Sequence, residues 1–184
     1  MINYIEDFIS KEDQDYIEEY VKDPKFPYRF HKIHLYSNAT ISNLQLTHHL
    51  YMHDEDKVSP HFPIINPIYK RLLEMYGNIH LMRAKINCTM PEPTMKPYEP
   101  QPRHVDLKYD NGEPFPHLVC LYYINDSDGP TYFYTNGENA SHRIIPKKGS
   151  ALIFDGSILH AGSNPVEYPY RFALNINFTK ANYE

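Results

Sequence analysis

The chain has 184 residues, 41% of them hydrophobic, a formal charge of −5 and no tryptophan. That length fits one domain, 1–184, with a real core, while the acidic balance disfavours binding to the phosphate backbone of nucleic acids. The opening "MINYIEDFIS" has no basic region leading into an apolar run, and no stretch approaches the roughly 20 apolar residues that cross a bilayer, so a soluble, cytoplasmic protein without a membrane segment is expected.

Ser10 followed by Asp13 resembles a capping arrangement, and Tyr16, Ile17, Tyr20 and Val21 recur behind it at helical spacing, which predicts an amphipathic helix over 11–22. "YRFHKIHLYS" (28–37) reads as extended. His53 and Glu55 of "MHDEDK" form an H-x-E pair, a variant metal-ligand geometry, but the charged run around them has no strand signal and reads as a solvated loop. His48, His49 and His61 crowd the same region without a recognisable ligand scaffold and are expected to be structural or exposed. A second helix begins near Pro63 or Pro67, runs through "IYKRLLEMYG" and stops at Gly77. Residues 1–80 are therefore expected to be a helical support region.

From Leu81 the pattern changes to short β-branched and aromatic runs punctuated by proline, glycine and asparagine. Strands are expected at 81–89, about 98–105, 117–124, 131–135, 141–145, 150–154, 157–161 and 170–178. With turn signals such as "NDSDGP", "TNGENA" and "PKKG" between them, they imply a mainly β fold with flanking helices. The predicted architecture is a double-stranded β-helix, the cupin-like jelly roll, with its core in 81–184. Cys88 and Cys120 are the chain's two cysteines, which suits two reduced buried thiols better than a disulfide framework or a thiolate zinc site.

"PRHVDLKYD" (102–110) places His104 and Asp106 two residues apart, where a strand end would aim both side chains at one point. The chain's 11 His and 11 Asp give about 0.7 such H-x-D matches by chance, so the pair gains weight only from its surroundings. His160 closes a short apolar run in "ALIFDGSILHAGSNP" and can supply a third ligand. Two imidazoles and a carboxylate leave three octahedral positions open, the arrangement of non-haem Fe(II) oxygenases. Eleven residues later, Arg171 opens "RFALNINF", whose strict alternation puts Arg171, Ala173, Asn175 and Asn177 on one face and Phe172, Leu174, Ile176 and Phe178 on the other. An arginine facing a barrel interior needs an anion, and its fork matches a carboxylate. Arg83, Lys85 and Asn87 share a face of "LMRAKINC"; that face either looks into the same mouth or is ordinary solvated surface.

"RHVD", "VCLYYIN", "DGPTYF", "IIPKKGSALIFDGSILHAGSNP" and "YRFALNINF" occur in the order found in the Fe(II)/2-oxoglutarate-dependent oxygenases, and the chain from about 81 to 184 resembles the prolyl 4-hydroxylase-like group of that family. "YIEDFISKEDQDYI" resembles the group's N-terminal strand and helix. The resemblance implies that His104, Asp106 and His160 bind Fe(II), that Arg171 binds the distal carboxylate of the cosubstrate 2-oxoglutarate, and that Tyr123 of "YYIN" adds a hydroxyl there while Tyr122 faces the other way. It further implies consumption of O2, with ascorbate an optional auxiliary, and a small-molecule or peptide substrate. Asp106 argues against halogenation, for which the family opens that ligand position with a small residue. Two departures are Gly129-Pro130 where the family has Gly-Gly, and the proline-rich approach to His104. The rival readings are a cupin-type metalloenzyme that uses no 2-oxoglutarate and a non-catalytic jelly-roll binding module.

Overall fold

The computed structural model describes residues 1–34, 42–94, 96–135, 137 and 139–181. Chain order runs β1 (Ile2–Ile5), α1 (Lys11–Lys22), β2 (Arg29–His34), β3 (Ser42–Met52), β4 (Lys57–Val58), a 3-10 turn (Phe62–Ile65), α2 (Asn66–Tyr76) and β5 (Ile79–Thr89). It continues with β6 (Leu118–Tyr123), β7 (Thr131–Tyr134), β8 (His142–Ile144), β9 (Ala151–Asp155), β10 (Leu159–Gly162) and β11 (Arg171–Lys180).

Among the described residues the strands form two antiparallel sheets. The large one has the order β1-β9-β6-β11-β5-β3-β2, with β4 paired to β3, and the small one has the order β10-β7-β8. Period-two alternation gives the large sheet two unlike faces. Ile86, Cys120, Tyr122, Ile153, Phe172, Leu174, Ile176 and Phe178 point to one side, where they meet Ile17 and Val21 of α1 and Ile68 and Leu72 of α2. On the other side Val119, Leu121, Tyr123, Leu152, Phe154 and Ala173 pack against Phe133 of the small sheet, with the rings of Phe133 and Phe154 4.9 Å apart edge to face. Each such side chain, fully buried, contributes about 1.5–3 kcal/mol. This two-sheet sandwich, with helices on one outer face, is a double-stranded β-helix.

Local chemistry sets the helix ends. Ser10 Oγ accepts the Asp13 N–H at 3.1 Å and donates to the Asp13 carboxylate at 2.6 Å, so α1 begins as the sequence predicts. The expected second helix is split: Pro63 lies in the 3-10 turn, Pro67 opens α2, and Gly77 at φ +72° ends it by returning its N–H to Leu73 O.

Two expectations are corrected. Residues 98–105 form no regular strand: Pro97, Pro100 and Pro102 cannot donate to a ladder, and two isolated bridges, Pro100 to Ser163 and His104 to His160, hold the segment along β10. The first 80 residues are less helical than expected, since β1, β2 and β3 extend the large sheet at both ends and β4 pairs with β3. The run 53–56 is the solvated segment expected, an exposed turn that joins β3 to β4. The extended reading of "YRFHKIHLYS" holds over Arg29–His34; its last residues lie outside the described ones.

Candidate active site

His104 and His160 exchange both backbone hydrogen bonds, N to O at 2.9 and 3.0 Å. Residues so paired across an antiparallel bridge project to one face, and their imidazole centroids stand 4.8 Å apart. The alignment predicted from a strand end is thus achieved by a single bridge. Each Nδ1 lies 3.0 Å from a carbonyl two residues earlier, Pro102 O for His104 and Ile158 O for His160. A carbonyl can only accept, so both Nδ1 atoms carry the proton and both Nε2 lone pairs are free to ligate. Burial lowers the His160 pKa, which keeps that imidazole neutral.

Asp106 completes the corner, and one donor atom from each of the three residues lies within 4.8 Å of the other two. Its Oδ1 accepts from Arg83 Nη2 at 2.7 Å, while Asn175 Nδ2 and Asn177 Nδ2 reach Oδ2 at 2.9 and 3.1 Å. Oδ2 also faces His160 Nε2 at 3.7 Å. Burial would raise the carboxyl pKa, but the Arg83 charge and the amide donors outweigh it and hold the group well below the usual carboxylate range. Two neutral imidazoles and a fixed carboxylate suit a divalent first-row metal such as Fe(II).

A cavity of about 290 Å³ runs from this corner to Arg171. Arg171 is 5% exposed and meets no carboxylate among the described residues. Its Nε donates to Gly129 O at 2.9 Å, its Nη2 to Thr131 Oγ1 at 2.8 Å, and its guanidinium stands 5.6 Å from the Tyr123 ring centre. Between the two ends the β11 floor is Ala173, small enough to leave the channel open. Asn87 Oδ1, Thr89 Oγ1 and Asn175 Oδ1, buried on this face, have no hydrogen-bond partner among the described residues. Buried polar atoms left unpaired next to a cavity indicate that a polar ligand completes the site.

Tyr123 lies one layer further back than the resemblance implies. Its hydroxyl donates to Thr131 Oγ1 at 2.7 Å, and Thr131 rather than Tyr123 lines the cavity. Thr131 Oγ1 accepts from both Tyr123 and Arg171, which leaves its own proton to donate to a ligand. Burial pushes the Tyr123 pKa up to about 12, so it remains a neutral donor. Tyr122 faces the opposite core, as alternation requires.

The polar face of β5 does look into the cavity, which Arg83, Lys85 and Asn87 all line. The sequence showed their common face but not which side of the sheet it joined, so the Arg83 clamp on Asp106 went unread. Asn175 and Asn177 were legible as sharing the Arg171 face, but their bonds to Asp106, like that of Thr131 to Arg171, are set by tertiary packing that no spacing shows. Gly129, the glycine that the departing Gly129-Pro130 pair keeps, is sterically required: an added Cβ would lie 2.7 Å from Ser163 O and 2.8 Å from Pro165 N. His48 and His61 are engaged elsewhere. His48 donates to Pro27 O and accepts from Ser59, and His61 pairs with Tyr20 OH. Glu55 is paired with Lys57. Among the described residues only His104, Asp106 and His160 form a metal-competent group. Cys88 and Cys120 are free and buried, their pKa values pushed up to about 12 by desolvation.

Neither a protein-family model nor a curated protein sequence matches the chain. Solved structures do. A 2OG-Fe(II) oxygenase family oxidoreductase from Burkholderia pseudomallei superposes with a TM-score of 0.69 at 11% identity, covering 98% of this chain and 86% of its own. The viral collagen prolyl hydroxylase of Paramecium Bursaria Chlorella virus-1, in its 2OG complex, gives 0.60 at 16% identity over 96% and 94%. A prolyl hydroxylase from Trichoplax adhaerens, in complex with a hypoxia inducible factor peptide, gives 0.64 at 14% identity over 97% and 83%. The fold is thus the double-stranded β-helix of the 2-oxoglutarate/Fe(II) oxygenases. Within that class the likeness extends to prolyl hydroxylases over nearly the whole chain.

Proposed function

We propose that this chain is an Fe(II)- and 2-oxoglutarate-dependent dioxygenase that hydroxylates a small-molecule or peptide substrate, its 184 residues acting as one oxygenase domain. The observation that carries the reading is the pairing, within one cavity, of the His104, Asp106 and His160 corner with a buried Arg171 that meets no carboxylate among the described residues. A cupin-type metalloenzyme indifferent to 2-oxoglutarate has no use for that second end.

His104, Asp106 and His160 would hold the metal, which when bound supplies the oxidation of a C–H bond by O2 coupled to oxidative decarboxylation of 2-oxoglutarate to succinate and CO2. Arg171 and Thr131 would hold the distal carboxylate of the cosubstrate, Arg171 by charge and Thr131 by its free hydroxyl proton. Ala173 leaves the channel clear, and the rings of Phe133 and Phe154 pack against His160 and hold its imidazole. Arg83, Asn175 and Asn177 fix the Asp106 carboxylate and keep it ionised. Ascorbate would serve as an auxiliary reductant. No helix among the described residues is long and apolar enough to cross a membrane, and a cytoplasmic setting agrees with two unpaired buried thiols.

The test is an anaerobic titration of the Fe(II)-loaded protein with 2-oxoglutarate, followed by the visible charge-transfer band of the chelate and then by succinate release on admitting O2. A saturable band with succinate supports the reading; metal binding without either returns the 2-oxoglutarate-independent metalloenzyme to first place.

A further inference from the structure

Three cationic side chains line the cavity, and two of them are already engaged. Arg83 gives Nε to Asn177 Oδ1 and Nη2 to Asp106, and Arg171 is held by Gly129 and Thr131. Lys85 is different: its side chain lines the cavity and makes no hydrogen bond or close ion pair with a described residue, the Asp106 charge acting on it only from a distance. Burial beside the Arg83 charge pushes its pKa down to about 8, a loss that an incoming anion would reverse. A half-buried ammonium with no hydrogen-bond acceptor among the described residues, in a ligand cavity, is a site waiting for one.

Register shows which ligand that acceptor belongs to. On β11, Arg171 pairs with Thr89, Ala173 with Asn87, and Asn175 with Lys85. Lys85 is therefore four residues, ~13 Å of strand, from the Arg171 row. It lies beside Asn175, which binds the metal-corner carboxylate of Asp106. A cosubstrate stretched from that corner to Arg171 runs along β11 and has its distal charge met at the far end. On its other side Lys85 pairs with His49 of β3, and Asn87 pairs with Thr47. His49, Thr47 and Arg29 line a second hollow of about 540 Å³, with Glu55 and Asp56 on its rim. Lys85 thus lines the cavity on its β5 side, between Asn175 of β11 and the β3 strand whose Thr47 and His49 line this hollow.

Resting on the oxygenase reading above, we propose that Lys85 is the substrate-binding cation of this site: the molecule to be hydroxylated carries a carboxylate or phosphate group that pairs with Lys85 and sets its C–H bond beside the metal corner. Charge agrees with this. Lys85, Arg83 and Arg171 against Asp106 leave two positive charges among the titratable side chains lining the cavity, His aside, before a dication is added. The dianionic cosubstrate leaves that excess unmet.

The test uses full-length protein carrying Zn(II) in place of iron and saturating 2-oxoglutarate, with 13Cε-labelled lysines. Acetate and, in a separate arm, inorganic phosphate are titrated in, and the Lys85 resonance is assigned by its loss in Lys85→Met. The expected result is a saturable shift of that resonance by at least one anion, the preferred arm naming the group. By calorimetry that anion should bind at least about tenfold more weakly to Lys85→Met, with Lys85→Arg retaining it, while 2-oxoglutarate affinity changes by less than about threefold. No shift from either anion, or anion binding that survives Lys85→Met and so belongs to the metal, overturns the proposal. A tenfold loss of 2-oxoglutarate affinity in Lys85→Met also overturns it and assigns Lys85 to the cosubstrate. A wild-type protein that binds no 2-oxoglutarate overturns the oxygenase reading itself, an outcome visible before any second anion is added.

Discussion

Arg83 Nη2 reaches from β5 to within 2.7 Å of Asp106 Oδ1, forming an ion pair with the only acidic member of the metal corner. Its Nε is anchored to Asn177 Oδ1 at 2.9 Å, and the amide of the same Asn177 donates to the other carboxylate oxygen. Two effects on a bound metal compete. The guanidinium charge repels a dication, whereas its fork fixes the carboxylate proposed as a ligand. Removing partners of metal ligands typically costs 10–100-fold in affinity, so positioning should prevail. Arg83→Met is expected to weaken Fe(II) or Zn(II) binding about tenfold, and Arg83→Lys to restore little, since an ammonium cannot bridge Asp106 and Asn177. Tighter metal binding by Arg83→Met in a chelator competition would show that repulsion dominates instead.

Gly129 offers a prediction of a different kind. Because its missing Cβ leaves room for the backbone of Ser163, Asn164 and Pro165, Gly129→Ala should cost roughly 1–3 kcal/mol by overpacking. It should also shift the carbonyl that orients Arg171. Lower thermal stability together with weaker 2-oxoglutarate binding is expected; a melting temperature equal to wild type would show that this turn yields freely.

His48 links stability to pH. Burial lowers its folded-state pKa below the ordinary value, with the nearby His61 and Arg29 acting in the same direction. The unfolded chain then binds the proton more readily, so the contribution of neutral His48 is present above about pH 6.5 and is lost as pH falls from there toward the folded pKa. His160, buried in the metal-free protein, shifts with the same sign. Melting temperature of the metal-free protein should therefore fall between about pH 7 and pH 5, and His48→Gln should flatten part of that slope. An unchanged slope in His48→Gln would remove His48 from the linkage.

Much of this was legible in the sequence where a local rule fixes a side chain's direction. The β11 alternation correctly separated Arg171, Ala173, Asn175 and Asn177 from Phe172, Leu174, Ile176 and Phe178, because period two leaves no other arrangement. The ends of α1 followed from Ser10, and the polar stripe of β5 was visible as well. What stayed hidden depends on tertiary pairing. Strand β3 was not anticipated, its Gln45, Thr47 and His49 being read as part of a helical region, yet it lies beside β5 and borders the site. Residues 98–105 carried a strand-like reading that their prolines defeat. The Arg83 clamp spans 23 residues and the Thr131 relay links three separate strands, distances over which no spacing rule applies.

The relay at the far end of the cavity yields the last prediction. The family resemblance assigns the cosubstrate's second contact to Tyr123, whereas Thr131 Oγ1 stands between that hydroxyl and the cavity and joins it to Arg171. Tyr123→Phe leaves Thr131 still bonded to Arg171 and still able to donate, so one ordinary hydrogen bond is lost, about 0.5–1.5 kcal/mol, mostly from stability. Thr131→Val is nearly isosteric but strands the buried Tyr123 hydroxyl and an Arg171 N–H, and removes the proton offered to the ligand; leaving buried groups unsatisfied costs about 1–3 kcal/mol each. Arg171→Ala removes the charge itself and should raise the 2-oxoglutarate dissociation constant at least about tenfold, with Arg171→Lys recovering only part because the two-point fork is gone. Metal affinity should change little throughout, since none of the three is a ligand. The expected order of 2-oxoglutarate weakening in anaerobic titrations of Fe(II)-loaded protein is therefore Arg171→Ala, then Thr131→Val, then Tyr123→Phe. If Tyr123→Phe weakened the cosubstrate as much as Thr131→Val, the phenol would have to turn into the cavity when ligand binds. If Arg171→Ala bound 2-oxoglutarate as wild type does, this end of the cavity would not be where the cosubstrate's distal carboxylate sits.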